Sequence, residues 1–278
     1  MKSIYTLAAA TLVSLHAGSL SAATVLGTVS STDGQPIAKA QVTWRHTGLA
    51  KSVTVYSNGE GAYRTELPDD GDYTLRVRRL GYNTVTETAI ALAGDQQLTK
   101  PVILKVVPKA QWVHELPASD WFARAEFSSP DLRGQFAIQC AMCHQQGAST
   151  TRLIRDEAEW HKLFDMMGEY GAVMNQALYD EAPGVMNRAY DFNQLDLDSF
   201  PDDPTARYAG DVVITEWEVG HETAFLHDMV VGPDGIIYSV DWINDKLFAL
   251  DPDTNSVREW AVPTGDLGPG GILGILSE

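Results

Sequence analysis

The chain has 278 residues, with 37 acidic and 20 basic side chains and a formal net charge of −17. Such a negative surface disfavours nucleic acid and anionic lipid as partners. It would attract basic proteins, or simply maintain solubility. At this length, two or three small domains are expected, each with its own core.

The first 23 residues are organised like a secretory signal peptide. Lys2 supplies a short positive start, residues 4–15 are apolar or weakly polar, and small residues follow at 19–23. The apolar run is too short to stay in a bilayer, which predicts cleavage near Ala22 or Ala23. No later stretch of the sequence is long and apolar enough for a membrane span. We therefore expect a periplasmic or secreted protein.

Residues 24–107 have the texture of a small all-β domain. The segment is rich in Thr, Val, Tyr and Gly, and turns separate its short alternating runs. Strands are predicted at 25–29, 41–45, 52–56, 73–77 and 102–106. Asp-Gly or Asn-Gly pairs predict turns with positive φ at 33–34, 58–59 and 70–71. The pattern predicts an antiparallel β-sandwich.

Several phrases in this block resemble the carboxypeptidase regulatory-like domain. Residues 25–29 and 33–42 are similar to the opening of that family, and 59–63, 71–75 and 81–82 continue its pattern. The resemblance implies a seven-stranded, transthyretin-like sandwich without a catalytic constellation, grouped with carbohydrate-binding-like folds. Binding to carbohydrate or to a cell surface is therefore a fold-level analogy. Trp44 and the tyrosines are expected in the core rather than on a sugar-stacking platform.

From residue 108 to about 200 the texture becomes helical. Ser-Pro-Asp at 129–131 marks a helix start, with a hydroxyl N-cap, proline at the first helical position and an early acid. A second helix is predicted over 156–167, where apolar side chains recur at i, i+3, i+4 and i+7. A third is predicted over 185–192. Together they predict a compact all-α unit.

The first of these helices leads into a C-x-x-C-H motif formed by Cys140, Cys143 and His144, and these are the chain's two cysteines. Covalent attachment of a c-type haem requires this spacing, because the thiols add to the haem vinyl groups and the imidazole binds the iron. A zinc site would need further ligands, and a dithiol redox pair would usually lie in a βαβ pattern. The motif predicts one haem c per chain, with His144 proximal, in a domain that resembles small monohaem cytochromes c.

Several side chains are candidates for the sixth ligand of the haem iron. The candidate sulfur ligands are Met166, Met167, Met174 and Met186. In residues 159–172, a Trp followed by Met and then Tyr-Gly-Ala resembles monohaem domains attached to periplasmic oxidoreductases, which implies Met167 as the leading candidate. Met186 suits the longer spacing from the proximal histidine that small cytochromes usually have, and follows a predicted proline-containing loop; Met174 is the next alternative. The remaining alternatives are His161, His114 and an open sixth site.

An acidic, proline-containing linker is predicted at 196–208, and β-texture then returns. Strands are predicted at 212–219, 225–231, 236–241, 246–252 and 257–263. The segment Ile-Thr-Glu-Trp at 214–217 is similar to Val-Arg-Glu-Trp at 257–260. The distance between them along the chain is roughly the length of one propeller blade. This pattern resembles the streptogramin (virginiamycin B) lyase-like β-propeller family.

The propeller resemblance covers about one blade and one preceding strand, whereas propellers typically have about four to eight blades. Residues 201–278 are therefore expected to be a partial β-propeller. The chain is expected to be a truncated product, with pairing of its last segment to another molecule as the alternative. His227 matches the recurring histidine position of the lyase family only loosely. One blade cannot assemble the lyase site, so we assign His227 a structural role.

The sequence thus predicts a multidomain protein: an all-β sandwich, a small all-α cytochrome c domain and about one propeller blade. Two functions from different classes follow. The first is one-electron transfer between the haem and an attached propeller module or a partner protein. The second is binding of carbohydrate or a cell surface, with the haem sensing redox state or a gas. A distant third is streptogramin-lyase-like activity, which would need further blades and a divalent metal. A methionine-ligated iron would favour the first, because methionine raises the reduction potential.

Overall fold

The computed structural model describes residues 22–141, 145–200, 212–241 and 243–263. The predicted signal peptide up to residue 21, most of the linker and residues 264–278 lie outside the described residues. In the described part, eight strands precede a helical region, and five further strands follow it. No helix in these ranges has the length and apolar character needed to cross a bilayer.

The N-terminal strands build two packed sheets. Their bounds are β1 Ala23–Ser31, β2 Gln41–His46, β3 Lys51–Tyr56, β4 Ala62–Leu67, β5 Gly71–Arg78, β6 Val85–Leu92, β7 Gln97–Thr99 and β8 Val102–Leu104. All five predicted strands are present, and the prediction of a sandwich is confirmed. The strands β4, β6 and β7 were not predicted, because polar residues interrupt their apolar alternation.

The expectation of seven antiparallel strands is wrong at β1. This strand pairs antiparallel with β4 on one side. On its other side it pairs in parallel with β7 along its first half and with β8 along its second half. Two short strands that follow one another along the chain therefore share one long neighbour, which makes eight strands in this segment rather than seven.

The turns follow the predicted glycines at two of three places. Gly34 and Gly71 have positive φ, 82° and 145°, as predicted. At the third turn Gly59 does not have positive φ; Gly61, two residues later, does, with φ 74°. The reason is an Asx turn in which Asn58 Oδ1 accepts hydrogen bonds from the backbone N–H groups of Glu60 and Ala62, at 3.1 and 2.8 Å.

The sandwich core lies between the two sheets and is built from alternate residues of each strand. Its largest members are fully or nearly fully buried: Trp44, Tyr63, Tyr73, Leu67, Leu75 and Leu104. Trp44 has no exposed surface. The expectation that it belongs to the core is confirmed, and Trp44 is excluded as a sugar-stacking platform.

Five α-helices follow the sandwich in the part of the chain that the structure describes. Their bounds are α1 Lys109–Trp112, α2 Ala118–Phe122, α3 Pro130–Ala141, α4 Glu157–Glu169 and α5 Gln176–Tyr190, with 3-10 turns at Val113–Glu115, Phe192–Gln194 and Leu197–Ser199. The first two predicted helices are confirmed as α3 and α4, while α1 and α2 were not predicted.

The third predicted helix is longer than expected, and Met186 lies inside it rather than after a loop. Asn175 caps its start by accepting a hydrogen bond from the backbone N–H of Leu178 at 2.9 Å. Pro183 lies in the interior of α5 and is buried, together with Met186. Burial of this face against the other helices outweighs the cost of a helical proline, which the sequence pattern alone had suggested as a break.

The second sheet of the sandwich gains a strand from the far side of the linker. It has the order β6-β5-β2-β3-β9, where β9 is Ile214–Trp217. The new strand pairs antiparallel with β3, placing Trp217 opposite Lys51. Glu218, directly after it, forms an ion pair with Arg45 at 2.5 Å. The strand expected to precede the propeller blade therefore extends the sandwich.

The remaining strands form one antiparallel meander, β10 Leu226–Val231, β11 Ile237–Asp241, β12 Lys246–Asp251 and β13 Ser256–Ala261. A four-stranded meander is the shape of a single propeller blade, but no closed propeller is formed within the described ranges. Asn255 connects the meander to the sandwich, since its side chain accepts from Trp217 Nε1 at 2.9 Å and donates to Asp69 at 3.1 Å.

Candidate haem site

The structure places Cys140 in the last turn of α3, half-buried and packed against the helical core. Cys143 and His144, together with Met142 between the cysteines, lie outside the described residues. The surroundings of the motif are therefore built from Cys140, from the chain that resumes at Gln145 and from the helices that face them.

Helix α3 is held in place at both ends. Ser129 Oγ accepts from the backbone N–H of Leu132 at 3.2 Å, which is the N-cap that the sequence predicts. Phe136, one turn before Cys140, is buried and stacks on Phe122 with ring centroids 5.9 Å apart. The aromatic contact fixes α3 against α2, so the first cysteine is delivered to the core by a rigid element.

The chain after the motif returns to α2 through a tight turn. Gln146 Nε2 donates to the carbonyl oxygen of Cys140 at 3.2 Å. Gly147 has φ 92°, and a Cβ at this position would lie 2.2 Å from the carbonyl oxygen of Ala118. Only glycine combines this backbone conformation with so close an approach.

The opposite wall of the core comes from α4 and α5. Trp160 and Phe164 on α4 are buried, with ring centroids 5.6 Å apart. Trp160 Nε1 donates to Asn187 Oδ1 on α5 at 2.8 Å. Asp156 and Glu159 form a capping box at the start of α4, so the helix that carries the aromatic wall begins at a defined residue.

The candidate methionines occupy different environments. Met186 is fully buried in the helical core. Met174 and Cys140 are half-buried, and both pack against this core. Met174 is held close to α3, because the backbone N–H of Val173 donates to Gln139 Oε1 at 2.9 Å. Met167 is half-buried at the end of α4 but is not among the described side chains that pack on this core. Met174 and Met186, unlike Met167, thus share a hydrophobic cluster with Cys140.

Both alternative histidines are engaged elsewhere. The ring of His161 stacks on Tyr179 at 4.3 Å, and its Nε2 lies 3.2 Å from the carbonyl oxygen of Tyr179. The ring of His114 stacks on Phe192 at 4.5 Å. Across the described ranges, no group of three His, Cys, Asp or Glu side chains is arranged to hold a metal ion.

Sequence reasoning missed two polar residues of this core, Arg152 and Tyr190. Nε and Nη1 of Arg152 and the hydroxyl of Tyr190 are shielded from solvent and have no hydrogen-bond partner among the described residues. The guanidinium lies over the ring of Trp121 at 4.3 Å. No local pattern singles out these two residues, because they lie far apart in the chain and meet only in the folded core.

Burial changes the protonation behaviour of both residues. It raises the pKa of the Tyr190 hydroxyl, an effect to which the neighbouring Cys140 thiol adds and which the Arg152 cation opposes. It lowers the pKa of the Arg152 guanidinium. A guanidinium nevertheless stays protonated in proteins, so at neutral pH both residues are hydrogen-bond donors.

His227 lies on β10, away from the helical core. Its side chain is half-exposed and its Nδ1 lies 3.4 Å from Oδ1 of the neighbouring Asp228. Its structural role stays a prediction.

Comparison with solved structures finds partial likenesses of low identity. The 3-chlorocatechol 1,2-dioxygenase from Rhodococcus opacus 1CP is 12% identical over 31% of this chain and 61% of its own, with a TM-score of 0.25. The Bacillus anthracis TIE protein is 20% identical over 31% of this chain and 18% of its own, with a TM-score of 0.28. A streptococcal ancillary pilin is 15% identical over 32% of this chain and 33% of its own, with a TM-score of 0.27. The chain thus covers less than two thirds of each of these proteins.

No curated protein sequence matches this chain. A sequence model of the carboxypeptidase regulatory-like domain matches residues 24–105, the segment that folds as strands β1 to β8. The resemblance noted in the sequence is therefore confirmed for this segment. Residues 24–105 form an all-β domain of the carboxypeptidase regulatory-like kind.

Proposed function

We propose that this protein binds one haem c covalently through Cys140 and Cys143, with His144 as the proximal ligand, and transfers single electrons. The observation that carries the proposal is the C-x-x-C-H motif, whose first cysteine lies in the last turn of α3. When bound, the haem supplies reversible one-electron chemistry at its iron. The protein supplies attachment, an apolar environment and the axial ligands.

The surroundings of Cys140 support this proposal. The cysteine faces a core with a large share of aromatic side chains, including Phe136, Trp160 and Phe164. An apolar, aromatic environment excludes water, and burial of this kind is one of the means by which a protein sets the potential of a haem. The core also contains buried hydrogen-bond donors, on Arg152 and Tyr190, that have no acceptor among the described residues. A cofactor with acidic groups would supply such acceptors.

The distal ligand in this proposal is one of three methionines. The sequence resemblance favours Met167, whereas packing favours Met174 and Met186, which share a core with Cys140. Thioether ligation would raise the reduction potential and suit electron transfer rather than gas binding. The carbohydrate-binding alternative is not proposed, because Trp44, Tyr63 and Tyr73 are buried inside the sandwich.

Export and partners are part of the same proposal. Haem attachment to this motif takes place outside the bacterial cytoplasm, which agrees with the signal-peptide pattern of residues 1–23. We propose a periplasmic or secreted location and a redox partner with a basic docking surface, because the net charge of −17 attracts such a surface. The meander of β10 to β13 is proposed as one blade of a propeller.

The test is an intact mass and an absorption spectrum of protein exported from a host with haem-maturation machinery. The expected result is a mass increment of one haem and sharp low-spin bands in both oxidation states. C143A should leave the haem singly attached or absent, and H144A should lose the low-spin spectrum. H227A, a histidine on β10 away from the helical core, is the matched control and should keep both. Wild-type protein whose mass shows no haem would overturn the proposal.

A further inference from the structure

Arg152 and Tyr190 form a buried pair of donors that lacks an acceptor. Arg152 uses Nη2 to donate to the carbonyl oxygen of His114 at 2.9 Å, while its Nε and Nη1 are shielded and unpaired within the described ranges. Tyr190 has no exposed surface, and its hydroxyl is likewise unpaired there. An unpaired buried donor of this kind destabilises the fold unless a bound group accepts its hydrogen bond.

The protein itself does not supply the missing acceptor in its described part. No carboxylate of the described residues forms an ion pair with Arg152. The backbone N–H of Gly147 lies near enough to lower the pKa of the Tyr190 hydroxyl, but it is a donor and is already bonded to Thr151 Oγ1 at 2.9 Å. A group that fits must therefore accept hydrogen bonds and carry negative charge.

The position of the pair is fixed before any ligand binds. The guanidinium lies over the ring of Trp121, 4.3 Å from its centroid, and 5.9 Å from the centroid of Phe192, which packs on the same tryptophan. Tyr190 and Trp121 belong to the hydrophobic cluster against which Cys140 packs, and Arg152 lies over the Trp121 ring of that cluster. A planar acid group beside the attachment cysteine would receive donors from two directions.

We propose that Arg152 and Tyr190 bind a propionate carboxylate of the haem attached at Cys140. This inference rests on the proposed function, and it assigns a role to two residues outside the C-x-x-C-H motif. The carboxylate satisfies the unpaired donors and neutralises the partly buried cation, while the cation keeps the propionate ionised. Arg152 and Tyr190 are positioning residues, since they touch the rim of the cofactor and not its iron.

The experiment compares holoprotein variants by resonance Raman spectroscopy of the propionate bending band and by redox titration. R152L should shift the band and lower the midpoint potential, because a positive charge beside the haem is lost. Y190F should shift the band with a smaller change in potential. The controls are R133L, at an exposed arginine whose guanidinium lies 4.9 Å from the ring centroid of Phe122, and Y170F, at a tyrosine that is 68% exposed. Both controls should leave band and potential close to those of the wild type.

The outcomes separate this inference from the haem assignment. Covalent haem in every variant, with R152L and Y190F indistinguishable from the wild type, would overturn the propionate site and leave the proposed function standing. Wild-type protein without haem would overturn both. The alternative is that the site binds a free carboxylate rather than the haem propionate. In that case acetate would raise the Tm of the wild type but not that of R152L, and the propionate band would not change in R152L. That result also overturns the inference. If R152L does not accumulate, R152K, which keeps the charge but loses the planar donors, should still shift the band.

Discussion

His161 donates a hydrogen bond from Nε2 to the carbonyl oxygen of Tyr179, at a distance of 3.2 Å, while the two rings stack at 4.3 Å. Tyr179 precedes Pro183 by one helical turn, and proline has no N–H for the carbonyl four residues before it. The imidazole on α4 therefore replaces the missing helical donor of α5. This contact explains how α5 accommodates an interior proline, and it joins the two helices that form one wall of the candidate site.

Replacing His161 should destabilise the protein in a manner that depends on Pro183. H161A leaves the Tyr179 carbonyl without its donor, which we expect to cost about 1–3 kcal/mol in the free energy of unfolding. In a P183A background the new backbone N–H can serve the same carbonyl, so the cost of H161A should be smaller. A double-mutant cycle by urea denaturation measures this coupling. Equal costs in both backgrounds would show that the hydrogen bond is not what His161 contributes.

One methionine-to-leucine substitution should abolish the sulfur-to-iron charge-transfer band. The variants are M167L, M174L and M186L, and leucine is close enough in volume to keep the packing cost below about 1.5 kcal/mol. The absorption spectrum of each oxidised holoprotein identifies the ligand. M166L is the matched control, because Met166 is 44% exposed on the same helix as Met167. Retention of the band in all four variants would rule out these methionines as ligands.

The sandwich should lose stability at alkaline pH through Tyr73. Burial, together with the negative charge of Asp69, raises the pKa of Tyr73 to about 12. The unfolded chain loses this proton near pH 10. The contribution of the Tyr73 hydroxyl to the free energy of unfolding is therefore complete below about pH 10. It is lost as the pH rises towards about 12, because in that range the unfolded chain releases the proton while the folded state still holds it.

The phenylalanine variant isolates that contribution. Y73F also loses the hydrogen bond from the Tyr73 hydroxyl to the Asp69 carbonyl oxygen, 2.7 Å long, so its stability at neutral pH should fall by about 1 kcal/mol. The decisive quantity is the slope of stability against pH above 10, measured by chemical denaturation. This slope should be shallower in Y73F but not zero, since burial also raises the pKa of Tyr63. Parallel slopes for variant and wild type would contradict the assignment.

Asp241 should be the most sensitive carboxylate of the C-terminal meander. It is buried, and its Oδ1 accepts from the backbone N–H groups of Phe225, Ile243 and Asn244 at 3.1, 3.1 and 3.2 Å. Its Oδ2 accepts from the Asn244 amide at 2.7 Å. Burial opposes ionisation, but these donors outweigh it and lower the pKa of Asp241 below its ordinary value.

D241N should therefore destabilise the meander by about 1–3 kcal/mol, because its new amide would face the amide of Asn244. For the native aspartate the folded pKa is depressed, so its contribution is present above about pH 4 and is lost as the pH falls below that value. Denaturation followed by tryptophan fluorescence measures both effects. D228N, at a half-exposed carboxylate on β10, is the control and should change stability by less than about 0.5 kcal/mol. Equal effects of the two substitutions would contradict this account of Asp241.

Local chemistry allowed several features to be predicted from the sequence. The starts of α3 and α4 follow from capping residues, Ser129 and Asp156, whose side chains bond to backbone groups within the same turn. The strands in which apolar and polar residues clearly alternate were predicted for the same reason. In such a strand the sequence of neighbouring residues alone shows which face is buried. The haem proposal likewise rests on a motif whose chemistry is set by spacing along the chain.

Tertiary structure decided the features that depend on distant partners. The phrases at 214–217 and 257–260 are alike, yet β9 pairs with β3 of the sandwich while β13 closes the meander, because an exposed strand edge is available to each in a different place. Pro183 remained inside a helix because a histidine from α4 serves the carbonyl it leaves unpaired. Arg152 and Tyr190 carry no local signal at all. Only the folded structure brings their unpaired donors to the core against which Cys140 packs, since hydrogen-bond satisfaction depends on three-dimensional neighbours and not on sequence spacing.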